Sequence, residues 1–255
     1  MDDLTALKLQ IEWGADEALE EAPVDRLHPV AAPPPSCPSP RGEGGHGSPR
    51  STPAERAVQA AAGAATLDEL RAAIAGFDGC ALRDTASHLI FAEGDPAAGL
   101  MLIGEPPSAD DDRSGMAFAG SAGEYLDRML TAISLSRAQL LLTPLIPWRP
   151  PGGRPPGAAE LAICLPFLYR LIALVAPRRL LVMGLLPARS LLPRTGARRR
   201  PRGEWVDVPI PGASLVLPVL PTFSSAELIK SPENRRAAWD DLRLLRRTLD
   251  EDAAG

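Results

Sequence analysis

Three segments carry side chains suited to chemistry. The first is Gly104-Glu105-Pro106-Pro107-Ser108, followed by Asp110-Asp111-Asp112-Arg113-Ser114-Gly115 and Ala117-Phe118-Ala119-Gly120. It reads as a stiff acidic loop ending in a glycine-flanked aromatic. An isolated run of three aspartates reads first as a solvated turn. A magnesium site ranks below it, because contiguous carboxylates converge on one hard cation only within a tight loop. The second segment, Pro147-Trp148-Arg149-Pro150-Pro151-Gly152-Gly153-Arg154-Pro155-Pro156, sets two guanidinium groups in a proline frame. Guanidinium forks match phosphate oxygens, and a rigid frame lowers the entropy lost in holding them, so a binding role is favoured over a mere connection. The third is the cluster Arg189, Arg194, Arg198, Arg199, Arg200 and Arg202, most simply a solvated basic loop and otherwise a phosphate grip.

Elements must exist to position these loops. Four strand-length apolar runs, Gly99–Ile103, Gln139–Thr143, Arg179–Met183 and Leu215–Leu220, show little polar alternation, as parallel strands covered on both faces should. Between and after them lie helical stretches at about 121–134, 158–175, 184–192 and 231–249. Thr66 with Glu69 resembles a capping box opening a helix through Ile74. The pattern predicts an α/β fold, a three-layer α/β/α sandwich around a central four-stranded, mostly parallel sheet. Sites in such sheets form beyond the carboxyl ends of the strands, which are the segments after Ile103, Thr143, Met183 and Leu220.

The rest of the chain divides by composition. Residues 1–28 hold eight acidic side chains against Lys8 and Arg26, a balance of −6, so the remainder of a chain of net charge −5 sums to about +1 and the arginine cluster forms a basic patch. This acidic segment has Leu4, Leu7, Ile11 and Trp13 spaced for a short amphipathic helix over 4–21, read as a marginal surface helix. Residues 29–64 are expected to be a disordered Pro/Gly-rich linker, with eight prolines between Pro29 and Pro53. The folded domain is expected over 65–250. Three widely spaced cysteines, Cys37, Cys80 and Cys164, do not suggest a disulfide framework. The longest apolar runs, near 161–176 and 180–192, are broken by charge or proline, so no membrane span and a cytoplasmic, reducing setting are expected.

Taken in order, the motifs resemble those of family-four (iron–sulfur type) bacterial uracil-DNA glycosylases. The matching stretches are Cys80-Ala81-Leu82-Arg83, Phe91-Ala92-Glu93-Gly94, Gly104-Glu105, Gly115 with Phe118 and Gly120, and Leu126-Asp127-Arg128-Met129-Leu130. They continue with Pro147 to Pro151, Cys164-Leu165-Pro166-Phe167-Leu168, Arg202-Gly203 with Trp205, and Ser231-Pro232 to Trp239. The resemblance implies base excision on uracil-containing DNA, single- or double-stranded. A deoxyuridine is flipped from the stack and its bond to C1′ is broken through an oxocarbenium-like state while uracil leaves as an anion. It implies that Glu105 lines the pocket, that Phe118 stacks on uracil, and that Asp111 stands at a further acidic position usually held by Glu.

The same resemblance marks departures. The family has Asn at the end of the second strand and His at the end of the fourth, where this chain has Pro144 and Ser224. Proline offers no donor, and a serine hydroxyl cannot carry positive charge. Of the four family thiolates only Cys80 and Cys164 match; Phe77 and Trp148 hold the other two places, so the cluster is expected to be lost and no cofactor is expected. On such a scaffold Arg149, Arg154, Arg199 and Arg202 would contact DNA. Leu228 falls where the family inserts an apolar wedge, with inward packing equally open. The expectation is a uracil-DNA glycosylase of weakened activity; the alternative is a catalytically degenerate DNA-binding or protein-interaction descendant, with the partner of the N-terminal segment unknown.

Overall fold

The apolar runs of the sequence become the middle of a sheet. The computed structural model describes residues 51–192 and 202–254. The expected helix over 4–21, Cys37, and Arg194, Arg198, Arg199 and Arg200 lie outside the described residues. Six strands, β1 (Glu93–Gly94), β2 (Leu100–Gly104), β3 (Leu141–Pro144), β4 (Arg179–Met183), β5 (Val206–Pro209) and β6 (Val216–Thr222), pair in the order β1-β3-β2-β4-β6-β5. The four inner strands are the predicted ones and run parallel, while β1 and β5 flank them antiparallel. The expected four-stranded sheet is therefore a six-stranded mixed one. The added strands escaped sequence reading for physical reasons: β1 is two residues long, and β5 (Val-Asp-Val-Pro) is short and ends in a proline.

Alternation along the inner strands feeds two separate cores. Met101, Ile103, Leu141, Leu180, Val182 and Val219 face one cluster; Leu100, Leu102, Leu142, Leu181, Met183 and Leu220 face the other. Helices α1 (Pro53–Gly63), α2 (Leu67–Gly76) and α6 (Ala158–Val175) cover the first face. The second is covered by α5 (Gly120–Ala132), α8 (Ser225–Lys230) and α9 (Arg235–Ala254). Short helices α3 (Ala81–Thr85), α4 (Ala109–Ser114) and α7 (Leu185–Leu191) complete the set.

Helix α1 occupies the last part of the stretch expected to be linker, 29–64, of which 29–50 lies outside the described residues. Thr52 Oγ1 accepts from the Glu55 amide at 3.3 Å, and the Glu55 carboxylate accepts from the Thr52 amide at 2.8 Å. Pro53, read as a linker residue, takes the first helical position, where its missing N–H costs nothing. The small side chains of Ala57 and Ala61 let α1 lie close on α6, and Arg170 Nε donates to Ala64 O at 2.7 Å. The other predicted helices appear, except that 231–249 opens with a 3-10 turn (Pro232–Asn234) before α9, and α8 precedes it unforeseen.

At 18 residues with a mean hydropathy of 1.9, α6 reaches the length and composition of a membrane span, contrary to expectation. Cys164, Phe167, Leu168, Leu171 and Ile172 are buried in the first core, and only Ala158, Ala159 and Ala162 along it are exposed. Its apolarity is used in packing between α1 and the sheet.

A polar knot secures α9 to the sheet. Asp241, 1% exposed, accepts from Thr222 Oγ1 at 2.7 Å and from Arg202 Nη2 at 2.9 Å, while Arg202 also donates to Ala237 O at 2.8 Å and lies over the Phe223 ring. Burial pushes the Asp241 carboxyl above the ordinary carboxylate range, opposed by its bonds to Thr222 and Arg202. Asp241→Ala should destabilise the fold by about 2–3 kcal/mol in urea denaturation. That is less than a fully buried pair, because the Arg202 side chain keeps 30% exposure. Asp241→Asn should cost less, since it removes the buried charge. At the far end of α9, Asp252 is held below the usual range by Arg179, which donates to it at 2.5 and 2.6 Å. The stability this pair contributes is present above the unfolded carboxylate range and is lost as pH falls through the lowered folded value. Arg179→Met should therefore flatten the acid side of the stability–pH curve measured by thermal unfolding.

Candidate base pocket

The parallel register brings the carboxyl ends of the strands level. Gly104 pairs with Pro144, and Met183 with Thr222, so Glu105, Leu145, Gly184 and Phe223 leave the sheet side by side. Gly184 has φ +113°, and a Cβ there would run into the Glu105 carboxylate. Glu105 Oε1 also accepts from the Leu186 amide at 3.4 Å, at the start of α7. The acid thus lies across the turn from β4 into α7.

Phe118 reaches the same place from the next loop. Its ring rests on Gly104, where any side chain would collide with it. Its backbone is left-handed at φ +54°, a conformation that costs a bulky residue about 1–3 kcal/mol and persists only where neighbours enforce it. The neighbours here are numerous. Glu93 Oε1 accepts from the Ala117 amide at 2.7 Å, and Asp111 Oδ1 accepts from the Ala119 amide at 2.6 Å. Arg137 donates to Ala117 O at 3.2 Å and to Phe118 O at 2.8 Å.

The three aspartates are not a solvated turn. Ser108 caps α4 in a reciprocal box with Asp111, whose Oδ2 accepts from the Ser108 amide at 2.7 Å. Asp111 is buried with both carboxylate oxygens on backbone amides. Asp112, also buried, accepts from the Ser87 and His88 amides, and His88 Nδ1 donates to Asp112 O at 2.5 Å. Asp110 pairs outward with Arg113. The carboxylates diverge, so they do not form a cation site. Among the described residues no group of three or more His, Cys, Asp or Glu side chains is arranged to hold a metal.

Other sequence candidates fall into structural roles. Ser224 is the N-cap of α8, its hydroxyl accepting from the Glu227 amide at 3.2 Å. Leu228 is 1% exposed and packs inward in the second core, while its neighbour Ile229 is 38% exposed. Arg154 is held bidentately by Glu160 at 2.8 and 2.6 Å and depresses the Glu160 carboxyl. Arg202 is spent on Asp241, and Arg199 lies outside the described residues. Arg149 differs: its Nε is buried without a hydrogen-bond partner.

Cys80 and Cys164 are buried in the same core, and the influence of Cys80 together with burial pushes the Cys164 thiol up. Phe77 and Trp148 lie in the same core, with Phe77 edge-on to Phe167 at 5.3 Å between centroids. Two thiols within an apolar cluster do not match the four-thiolate ligation of an iron–sulfur cluster. Sequence reasoning missed Arg137, Glu93 and Gly184 as site-builders. Glu93 and Asp127, the partner of Arg137, stood within recognised motifs without an assigned role, and nothing local singled out Arg137.

Comparison with known proteins shows the family. The chain matches the family described as Uracil DNA glycosylase superfamily over residues 91–243. It is 30% identical over 180 residues to a Type-4 uracil-DNA glycosylase of Pyrobaculum aerophilum, covering 69% of this chain and 91% of that protein. Proteins of the same name from Sulfurisphaera tokodaii (26% over 186 residues, 71% and 84% covered) and Saccharolobus solfataricus (29% over 175 residues, 67% and 80%) are also similar.

The contact of Glu105 with Gly184 is testable by coupling. Gly184→Ala should lose about 1–3 kcal/mol through the left-handed backbone and the collision. Glu105→Ala in that background should restore part of the loss in urea denaturation. Strictly additive effects would show that the carboxylate does not lie over Gly184.

Proposed function

The chain belongs to the Uracil DNA glycosylase superfamily, and from that premise we propose that it hydrolyses the N-glycosidic bond of a deoxyuridine flipped out of DNA, at a rate lowered by its own substitutions. One observation carries the reading: the Phe118 ring rests on Gly104, the residue directly before Glu105, so an aromatic ring and an acidic residue meet at the end of β2.

An extruded base stacks on the Phe118 ring. The C1′–N1 bond breaks with its electron pair leaving on uracil, and the oxygen of a water adds to the cationic sugar at C1′. Glu105 faces the positive charge that develops on the sugar and accepts the proton the water loses. Asp111 acts here by holding the Phe118 loop, since both its oxygens are occupied by amides. Arg149 is the arginine of the proline-rich loop assigned here to phosphate, since Arg154 is occupied by Glu160. The chain works in this reading without an iron–sulfur cluster, because rings occupy two of the family's thiolate places.

A second reading, binding without cleavage, is favoured by two residues. Ser224 caps α8 through its hydroxyl oxygen and carries no positive charge, and Pro144 provides no donor to the base edge. Absence of one anion-stabilising group costs about a hundredfold in rate, which sets the scale of the expected weakness.

Excision should be detectable on uracil-containing single- and double-stranded oligonucleotides over long incubations, and Glu105→Gln should abolish it, by about a hundredfold or more. Salt-dependent binding without excision would select the second reading. Freshly purified protein should lack the broad absorbance near about 400 nm that a cluster would give.

A further inference from the structure

We propose that Arg137 is a positioning residue for the base-stacking ring, acting from outside the pocket through the carbonyls of Ala117 and Phe118. The proposal rests on the reading of Phe118 as the surface that receives the flipped base.

Arg137 lies in the 3-10 turn that leads into β3. Its guanidinium is used on both sides. Nη1 donates to Ala117 O at 3.2 Å and Nη2 to Phe118 O at 2.8 Å, while Nε and Nη2 donate to the Asp127 carboxylate of α5 at 2.6 and 3.3 Å. One planar fork therefore ties two consecutive carbonyls of the left-handed segment to α5. Gly123 of α5 closes from another side, since a Cβ there would overlap Phe118 O. Glu93 and Asp111 hold the flanking amides of Ala117 and Ala119. Glu93 and Asp111 accept and Arg137 donates, so every backbone polar group from the Ala117 amide to the Ala119 amide, other than the Phe118 N–H, has a charged side chain as partner.

Charge-assisted bonds of this kind are short and directional. They set the peptide planes on either side of Phe118 Cα, and those planes aim the ring at Gly104. Lysine cannot reproduce the function. A single ammonium lacks the planar fork that reaches two carbonyls and a carboxylate together. Arg137 touches neither base nor sugar in this arrangement, so its effect must pass through Phe118.

The test uses the full chain and four variants: Arg137→Met, Arg137→Lys, Phe118→Ala and the double variant Arg137→Met with Phe118→Ala. Amide hydrogen exchange over Ala117–Ala119 should quicken about tenfold or more in Arg137→Met while the amides of β4 stay protected. On uracil-containing DNA, kcat/KM should fall about tenfold or more in Arg137→Met, since small misplacements of a binding group carry losses of that size. Arg137→Lys should recover little of it. The double variant should be no worse than Phe118→Ala alone, because a residue acting through the ring has nothing to position once the ring is gone. Additive losses, full recovery by lysine, or unchanged exchange would each overturn the proposal. If the wild-type chain neither binds nor excises, the reading of Phe118 fails. Exchange then decides alone whether Arg137 braces the segment.

Discussion

The level ending of four parallel strands is the constraint on which the rest of this structure depends. Parallel pairing slants the hydrogen bonds and buries both faces, so every residue of β2 and β3 is buried and helices must cover each side. In-register pairing of Gly104 with Pro144 then forces the following residues into one small region. The candidate site has no independent scaffold. Glu105 is placed by the last bond of β2, Gly184 by the last residue of β4, and Ser224 by the exit of β6. Proline at position 144 is tolerated because the bond to β2 at that level is made by the next amide, Leu145 N–H donating to Gly104 O at 2.9 Å.

Glycine is required at two close approaches in the candidate site. Gly104 admits the Phe118 ring and Gly184 admits the Glu105 carboxylate. Where space is not at issue, the loops are fixed by carboxylates and guanidinium groups bonded to backbone. This explains why so few charged side chains near the site are left to act on a ligand. Asp111, Asp112, Glu93, Arg137, Arg154 and Arg202 all have internal partners.

The sequence revealed the inner strands because their residues are apolar without alternation, and the Thr66 cap because its spacing is local. Thr66 Oγ1 does accept from the Glu69 amide at 3.2 Å, although the Glu69 carboxylate turns to the Ala65 amide instead. Glu105 and Phe118 were legible by family resemblance, which supplies roles but not contacts. Arg154 was read as a phosphate ligand because its attraction to Glu160, at the start of α6, depends on how the loop folds back. Arg137 looked like any charged turn residue; its bonds to Phe118 and Ala117 span 19 and 20 positions. Asp241 and Thr222 likewise meet only after α9 packs on β6. Composition misled once, at α1, where a proline that opens a helix resembled the prolines of a linker.

The two antiparallel strands at the margins of the sheet have a consequence for association. An exposed strand edge is a template onto which another chain can add. Here one margin is a two-residue strand whose Glu93 side chain is turned to the Ala117 amide. The other carries exposed Asp207 and ends at Pro209, which has no N–H to donate. Both borders are poor partners for β-augmentation, so contacts with other macromolecules are directed to the loops and helix surfaces. An otherwise aggregation-prone apolar sheet is thereby kept from extending itself through a neighbour.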